Sequence, residues 1–345
     1  ECSNCHARFR EDKIDTSKCP NCGQKNTFGE ARQFNMMFKT NVGPVEDENS
    51  ISYLRPETAQ GIFTNFKNVV DTLYPDIPFG IAQQGKAFRN EISPRDFVFR
   101  SREFEQMELE FFVKPNAESA AEWYKYWKDE RYGWYLKYGI QQDRLHMREH
   151  EKDELAHYAA GCADIEYDFP FGRAELEGIA NRGDYDLKRH SEFSKKDQSY
   201  FDPESQTKYV PYVIEPSAGA DRATLAFIVD AYVEEAERTV LRFDPRIAPI
   251  KAAILPLVNK DGMPEIGEKI YHQLRKRWNV YFDDKGAVGR RYRRQDEAGT
   301  PFCITIDGES AAGQSVTVRE RDSMAQQRVG ISQLEEFLSK AILKE

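Results

Sequence analysis

The chain has 345 residues, 40% of them hydrophobic and 12% aromatic, with a formal net charge of −9. That composition supports roughly two or three domains with sizeable cores; no apolar run approaches the ~18–20 residues of a membrane span, and neither a membrane association nor a cleavable leader is expected. The acidic balance also excludes a non-specific nucleic-acid coat, though not a local basic groove. Four of the six cysteines cluster near the start, while Cys162 and Cys303 stand far apart. No disulfide scaffold is expected, and the reducing cytoplasm is the expected compartment. Glu1 is not an initiator, so the sequence reads as part of a longer chain.

Cys2 and Cys5, then Cys19 and Cys22, form two CxxC pairs separated by a short loop. Such spacing wraps four thiolates tetrahedrally around one Zn²⁺ and leaves no coordination position for a substrate. A structural zinc is expected at residues 1–25, against the alternatives of redox pairs or a site without metal. Residues 34–48 read as a turn-rich connection. Thr58 is placed to cap a helix whose Ile62, Phe66, Val69, Val70 and Leu73 recur at helical spacing. Arg55 and Glu57 precede that helix and stand equally well for a local ion pair or for groups reaching a site.

Residues 86–113 predict a β-hairpin: strands over 86–91 and 98–113, joined by a turn containing Pro94. Alternation puts Arg89 and Glu91 on one face, and Phe104, Gln106, Glu108 and Glu110 on one face of the second strand. A face of arginine, carboxylates and one ring is a poor core surface. It reads either as a solvated face or as the floor for a ligand that is anionic, flat and cationic in different places.

Residues 117–139 predict an amphipathic helix whose Trp123, Trp127 and Trp134 serve packing. His146, His150 and His157 lack metal spacing with a carboxylate and read as ordinary polar residues. A strand is expected over 164–169. Glu175 and Glu177, two apart on the next strand, suit a shared face that holds Mg²⁺ beside phosphates, or simple exposure. Residues 188–209 read as polar loop.

The stretch 211–222, PYVIEPSAGADR, predicts a strand that carries Glu215 and Ser217 on one face and turns at Gly219 into a helix opened by Arg222. Arginine at a helix N-terminus opposes the helix dipole, so it suits an anion such as a phosphate tail better than helix stability. From residue 250, strands alternate with helices: strands over 250–258, 280–283, 302–307 and 315–320, a helix over 264–278, and a last helix from Ser332 with Glu335 completing a capping box. This predicts a small mixed-sheet domain. Its Arg290, Arg291, Arg293 and Arg294 form a basic cluster that reads as a nucleic-acid patch in an acidic chain, or as a solvated helix face.

Together FRNE at 88–91, GADR at 219–222, LRPETAQGIF, FRSREFEQMELEFF and VIEPSAGADR resemble class II aminoacyl-tRNA synthetases, and among them the glycyl-tRNA synthetases of the homodimeric type. The resemblance covers nearly the whole chain. The first motif of the class has no counterpart here and is expected before Glu1.

The resemblance implies an α+β fold: an antiparallel-sheet catalytic domain over 1–243 and an α/β anticodon-binding domain over 248–345. It implies ATP, Mg²⁺ and glycine as ligands, tRNA(Gly) as partner, and a homodimer. Arg89 and Arg222 would be catalytic, on the α-phosphate and the γ-phosphate end. Glu91 would meet the adenine amino group and Phe104 would stack on the base. Asn90, Phe99, Arg100, Ser101, Arg102 and Glu103 would complete this side of the ATP site. Glu175 and Leu176 would line it, with Gly219, Ala220 and Asp221. Glycine would be surrounded by Glu57, Glu108, Arg182, Glu215 and Ser217, with Phe104, Glu105, Gln106, Met107, Pro216, Ala218 and Gly219 around them. The alternatives are another synthetase of the same subgroup, or a synthetase-like accessory subunit without catalysis.

Overall fold

A computed structural model describes residues 1–9, 11, 14–155 and 159–344. The chain is α+β and divides into two compact units, Glu1–Arg131 with His146–Leu225, and Tyr132–Leu145 with Ala226–Glu345. The boundary expected at 243–248 falls inside the second unit. Among the described residues no helix is long and apolar enough to cross a membrane.

The first unit begins with β1 (Lys39–Asn41) paired to β2 (Ile51–Tyr53), then α1 (Ala59–Leu73). The long strands are β3 (Phe79–Phe88) and β4 (Glu103–Val113); after α2 (Ala117–Lys137) come β5 (Leu145–Glu149), β6 (Gly161–Phe169) and β7 (Gly172–Gly183). α3 (Tyr185–Ser194), β8 (Tyr200–Asp202), β9 (Thr207–Tyr209), β10 (Tyr212–Gly219) and α4 (Ala220–Ala231) follow. Six strands form one sheet in the order β3-β4-β10-β7-β6-β5. Ordered α3, β8 and β9 thus occupy much of the stretch expected as loop.

α1 packs on this sheet through Ala59, Ile62, Phe63, Phe66 and Val70. The helical stripe includes Phe63 rather than Leu73, which is exposed. Phe66 stands 4.6 Å from Phe112, which stands 5.1 Å from Phe79. Each such ring contributes about 1.5–3 kcal/mol of burial. This apolar block anchors one end of the sheet face; the polar residues of β4 continue from it toward the site.

The hairpin differs from the expected one. β3 ends at Phe88, and residues 97–99 form a 3₁₀ turn rather than strand. Asp96 and Phe97 both take left-handed conformations, at φ 56° and 54°. Phe99 then packs 5.2 Å from Phe169 and 5.0 Å from Phe171, so its ring serves tertiary packing rather than a ladder.

In the second unit β11 (Tyr232–Glu234) pairs with β12 (Thr239–Leu241). β13 (Ala252–Pro256), α5 (Met263–Leu274), β14 (Val280–Phe282), α6 (Val288–Ala298), β15 (Phe302–Ile306), α7 (Gly308–Gly313), β16 (Ser315–Glu320), β17 (Gln326–Gly330) and α8 (Leu334–Leu343) follow. The sheet order is β14-β13-β15-β16-β17, parallel over the first three strands and antiparallel over the rest. The sequence pattern predicts neither α7 nor β17. α8 starts at Leu334 without a side-chain cap, so the expected capping box at Glu335 is absent.

Candidate active site

Antiparallel register sets Gln83, Glu108 and Ser217 side by side across β3, β4 and β10. Beside them opens a cleft of about 130 Å³, lined among others by Arg89, Phe99, Phe104, Gln106, Ser217 and Arg222. Glu91, Arg100, Ser101, Glu105, Glu175, Leu176, Gly219 and Asp221 complete its candidate residues. Three stretches far apart in sequence therefore meet in one concavity.

Arg222 is the third residue of α4. Its Nε donates to the Phe99 carbonyl at 3.0 Å and its Nη1 to the Glu175 carbonyl at 3.2 Å, and its Cζ lies 4.3 Å from the Phe99 ring centroid. Burial is the main influence pulling its pKa down, and nearby Arg89 and Arg100 pull the same way. A guanidinium stays charged regardless, so this is a fixed cation suited to an anionic group. Arg89 donates to the Pro56 carbonyl at 3.0 Å, with its Cζ 5.2 Å from the Phe104 ring centroid. Asp221 accepts from the Glu105 N–H at 2.8 Å and so ties α4 to β4.

Other candidates serve the loop. Asn90 bonds the Met36 and Asn35 carbonyls, Arg102 bonds the Glu91 carbonyl, and exposed Glu103 pairs with Lys86 at 2.6 Å. Met107, Pro216 and Ala218 occupy the alternate positions of their strands, which point away from the face carrying Glu108 and Ser217. Ala220 is the first residue of α4.

At the other end, Glu108 is buried and fully hydrogen-bonded. One oxygen accepts the Thr58 N–H, at 2.6 Å, and the Thr58 hydroxyl; the other accepts Gln106 Nε2 at 2.8 Å and the Ser217 hydroxyl at 3.1 Å. Thr58 is thus a ligand of Glu108 and makes no cap bond to α1. The side-chain amide oxygen of Gln106 is buried without a hydrogen-bond partner, and Gln106 lines the cleft. Arg182 grips Asp186 through two bonds, at 2.7 and 2.8 Å, and Glu215 at 2.7 Å. Burial is the largest influence on Glu215 and pushes its pKa up, while Arg182 pulls it back down. Glu57 accepts from Gln60 at 2.9 Å. Arg55 pairs with no carboxylate among the described residues; its Nε donates to the Lys86 carbonyl at 2.6 Å, and a side chain at Gly85 would collide with it.

Glu175 and Glu177 do not share a face. A β-bulge at Leu176, where Ile165 faces Glu177 but Glu166 faces Glu175, breaks the alternation. Glu177 is buried against Arg131, with contacts of 2.6 and 3.0 Å. Glu175 alone remains at the cleft, which suffices for Mg²⁺ shared with phosphates.

The four N-terminal cysteines converge. Sγ of Cys2 and Cys22 lie 3.7 Å apart, as do those of Cys5 and Cys19, and all four fall within 4.8 Å. Thiolates on a tetrahedral zinc at about 2.3 Å would stand about 3.8 Å apart, so the cluster fits the ion. His150 also meets Cys162 and Asp164, which spacing did not reveal, but Arg148 lies 3.5 Å from both His150 and Asp164 and supplies the positive charge there. His146 bonds Asp168 at 2.8 Å, and His157 lies outside the described residues.

In the second unit the basic cluster splits. Arg291 is buried and donates to the carbonyls of Pro256, Asp283 and Leu257, so it is unavailable to a nucleic acid. Arg294 pairs with Asp283, and Arg293 approaches Asp296 at 3.6 Å. Arg290 is exposed.

The antiparallel sheet, the paired arginines and the acidic pocket define a class II aminoacyl-tRNA synthetase core. Residues 38–234 match the family model for the tRNA synthetase class II core domain (G, H, P, S and T), and residues 251–341 match the anticodon binding domain. The glycine–tRNA ligase of Thermobifida fusca is 51% identical over 99% of this chain and 80% of its own length. That of Streptomyces coelicolor is 48% identical over the same shares, and that of Treponema denticola 51% over 97% and 76%. The chain belongs to the glycine–tRNA ligases.

Proposed function

We propose that this cleft activates glycine with ATP and that the chain then transfers it to the terminal adenosine of tRNA(Gly). The observation that carries the site reading is the single cleft in which Arg89, Phe104, Gln106, Ser217 and Arg222 face one another. ATP lies with its base on Phe104 and its phosphates between Arg89 and Arg222. Glycine lies toward Gln106, Ser217 and Glu108.

A carboxylate oxygen of glycine attacks the α-phosphorus, a P–O bond forms, and the bond to pyrophosphate breaks. The carboxylate is already ionised near neutral pH, so no general base is needed. Rate comes from positioning and from cations at the phosphates. Glu175 would hold Mg²⁺, which supplies further charge neutralisation. Glycine offers no side chain to read, so selection rests on binding its ammonium and on steric exclusion at Cα; a missing methyl contact alone is worth only ~1–3 kcal/mol.

The domain boundary is proposed near 243–248, with Arg290 and Arg293 in the tRNA-facing patch. The CxxC pairs support bound zinc, and the likeness to the homodimeric type supports a dimer. Free cysteines outside the cluster support a cytoplasmic setting. The test is ATP–pyrophosphate exchange with each amino acid in turn. Exchange with glycine alone is expected; exchange with another amino acid instead would overturn the pocket assignment.

A further inference from the structure

Glu110 lies in the second half of β4. It is fully buried, and neither carboxyl oxygen has a hydrogen-bond partner. The β4–β10 register places it opposite Glu215, on the face that carries Glu108 two residues earlier. Asp186 of α3 and Arg182 at the end of β7 also act on it. β3 offers no charged residue on this side, where Phe79, Ile81, Gln83, Gly85 and Ala87 lie, and the buried face of α1 is uncharged.

Four carboxyl groups therefore crowd one guanidinium that already binds Asp186 and Glu215. One glycine ammonium does not restore the balance. Like charges directly opposite on a sheet repel, and a buried carboxylate without donors is costly. Glu108 has four donors and Glu215 has Arg182, so the carboxyl best able to shed its charge is Glu110.

We propose that Glu110 is a neutral carboxylic acid in the working enzyme, a positioning residue whose proton keeps Glu215 ionised on Arg182 and sets the charge of the glycine pocket. Burial first, and Glu215 second, raise its pKa well above the ordinary carboxylate range. The consequence for glycine rests on the pocket reading above; the protonation does not.

The test uses Glu110→Gln, the neutral isostere. Near neutral pH, the infrared difference spectrum between wild type and variant should contain the carbonyl stretch of a protonated carboxylic acid. Because the folded wild type keeps a proton that the unfolded chain releases above about pH 4.3, its stability falls as pH rises. The variant's Tm should therefore gain on wild type from about pH 5 to about pH 8. The rise in KM for glycine should stay below about threefold, against about tenfold or more for Glu108→Gln. A carboxylate band alone, or a KM rise matching that of Glu108→Gln, overturns the proposal and makes Glu110 a direct ammonium anchor. If Glu110→Gln does not fold, Glu110→Met takes its place, and loss of glycine affinity in that folded variant likewise overturns it. Failure of the pocket reading shows separately, as an unchanged glycine KM in Glu108→Gln, because the infrared band needs no substrate.

Discussion

Thr58 gives both its backbone N–H and its hydroxyl to a single oxygen of Glu108, so the entry to α1 is fastened to the middle of β4. With Gln106 and Ser217 on the other oxygen, all the acceptor positions of this carboxylate are filled. Glu108→Gln would turn an NH₂ toward groups that are themselves donors. Hydrogen bonds to a charged group contribute about 1.5–3 kcal/mol each. The variant should raise KM for glycine about tenfold or more and lower Tm, while KM for ATP changes less than about twofold. Pyrophosphate exchange with each substrate varied in turn measures this; equal losses toward both would remove Glu108 from the glycine end.

Arg222 rests on the Phe99 ring and bonds two carbonyls, a planar, stacked arrangement that lysine does not reproduce. Arg222→Lys keeps the charge yet should lower kcat/KM for ATP by about tenfold or more. Phe99→Ala should weaken ATP use in the same direction. In the double variant the losses should be less than additive, since each removes the same contact. Strict additivity would mean that the ring does not position the arginine.

How the sequence revealed this site follows from what periodicity can carry. Arg89, Gln106, Ser217 and Arg222 were readable as cleft groups because the hairpin and the strand-to-helix joint are local features. The edges of the hairpin were not. Gly80, Gly85 and paired glutamines hide β3, while the β-rich Phe97-Val98-Phe99 forms a turn from which Phe99 packs on Phe169 and Phe171. Glu177 was misplaced by a bulge that shifts register by one residue, which no alternation count detects. Alternation places Glu110 on the face of Glu108, but its meeting with Glu215 needs the sheet register, and Asp186 carries no signal of its own.

The sulfur geometry at Cys2, Cys5, Cys19 and Cys22 leads to a metal-content prediction. Purified protein never exposed to chelator should contain about one zinc per chain by elemental analysis. Cys5→Ser should lose that zinc and loosen residues 1–25, detected as faster proteolysis there. Protein that is zinc-free yet equally resistant would show that the cluster folds without metal.

Arg290 and Arg291 are neighbours on α6 with opposite surroundings. Arg291 is 1% exposed and feeds three carbonyls at the ends of β13 and β14, so Arg291→Ala leaves buried acceptors unpaired and should cost roughly 3 kcal/mol or more. Arg290 reaches solvent, so Arg290→Ala should change stability by less than about 0.5 kcal/mol. If α6 contacts tRNA, the charge removed at Arg290 should raise KM for tRNA severalfold, most visibly at low salt, and leave glycine-dependent pyrophosphate exchange intact. Chemical denaturation and aminoacylation at two salt concentrations separate these effects. A tRNA KM for Arg290→Ala equal to that of wild type at low salt would place the nucleic-acid surface elsewhere on this unit.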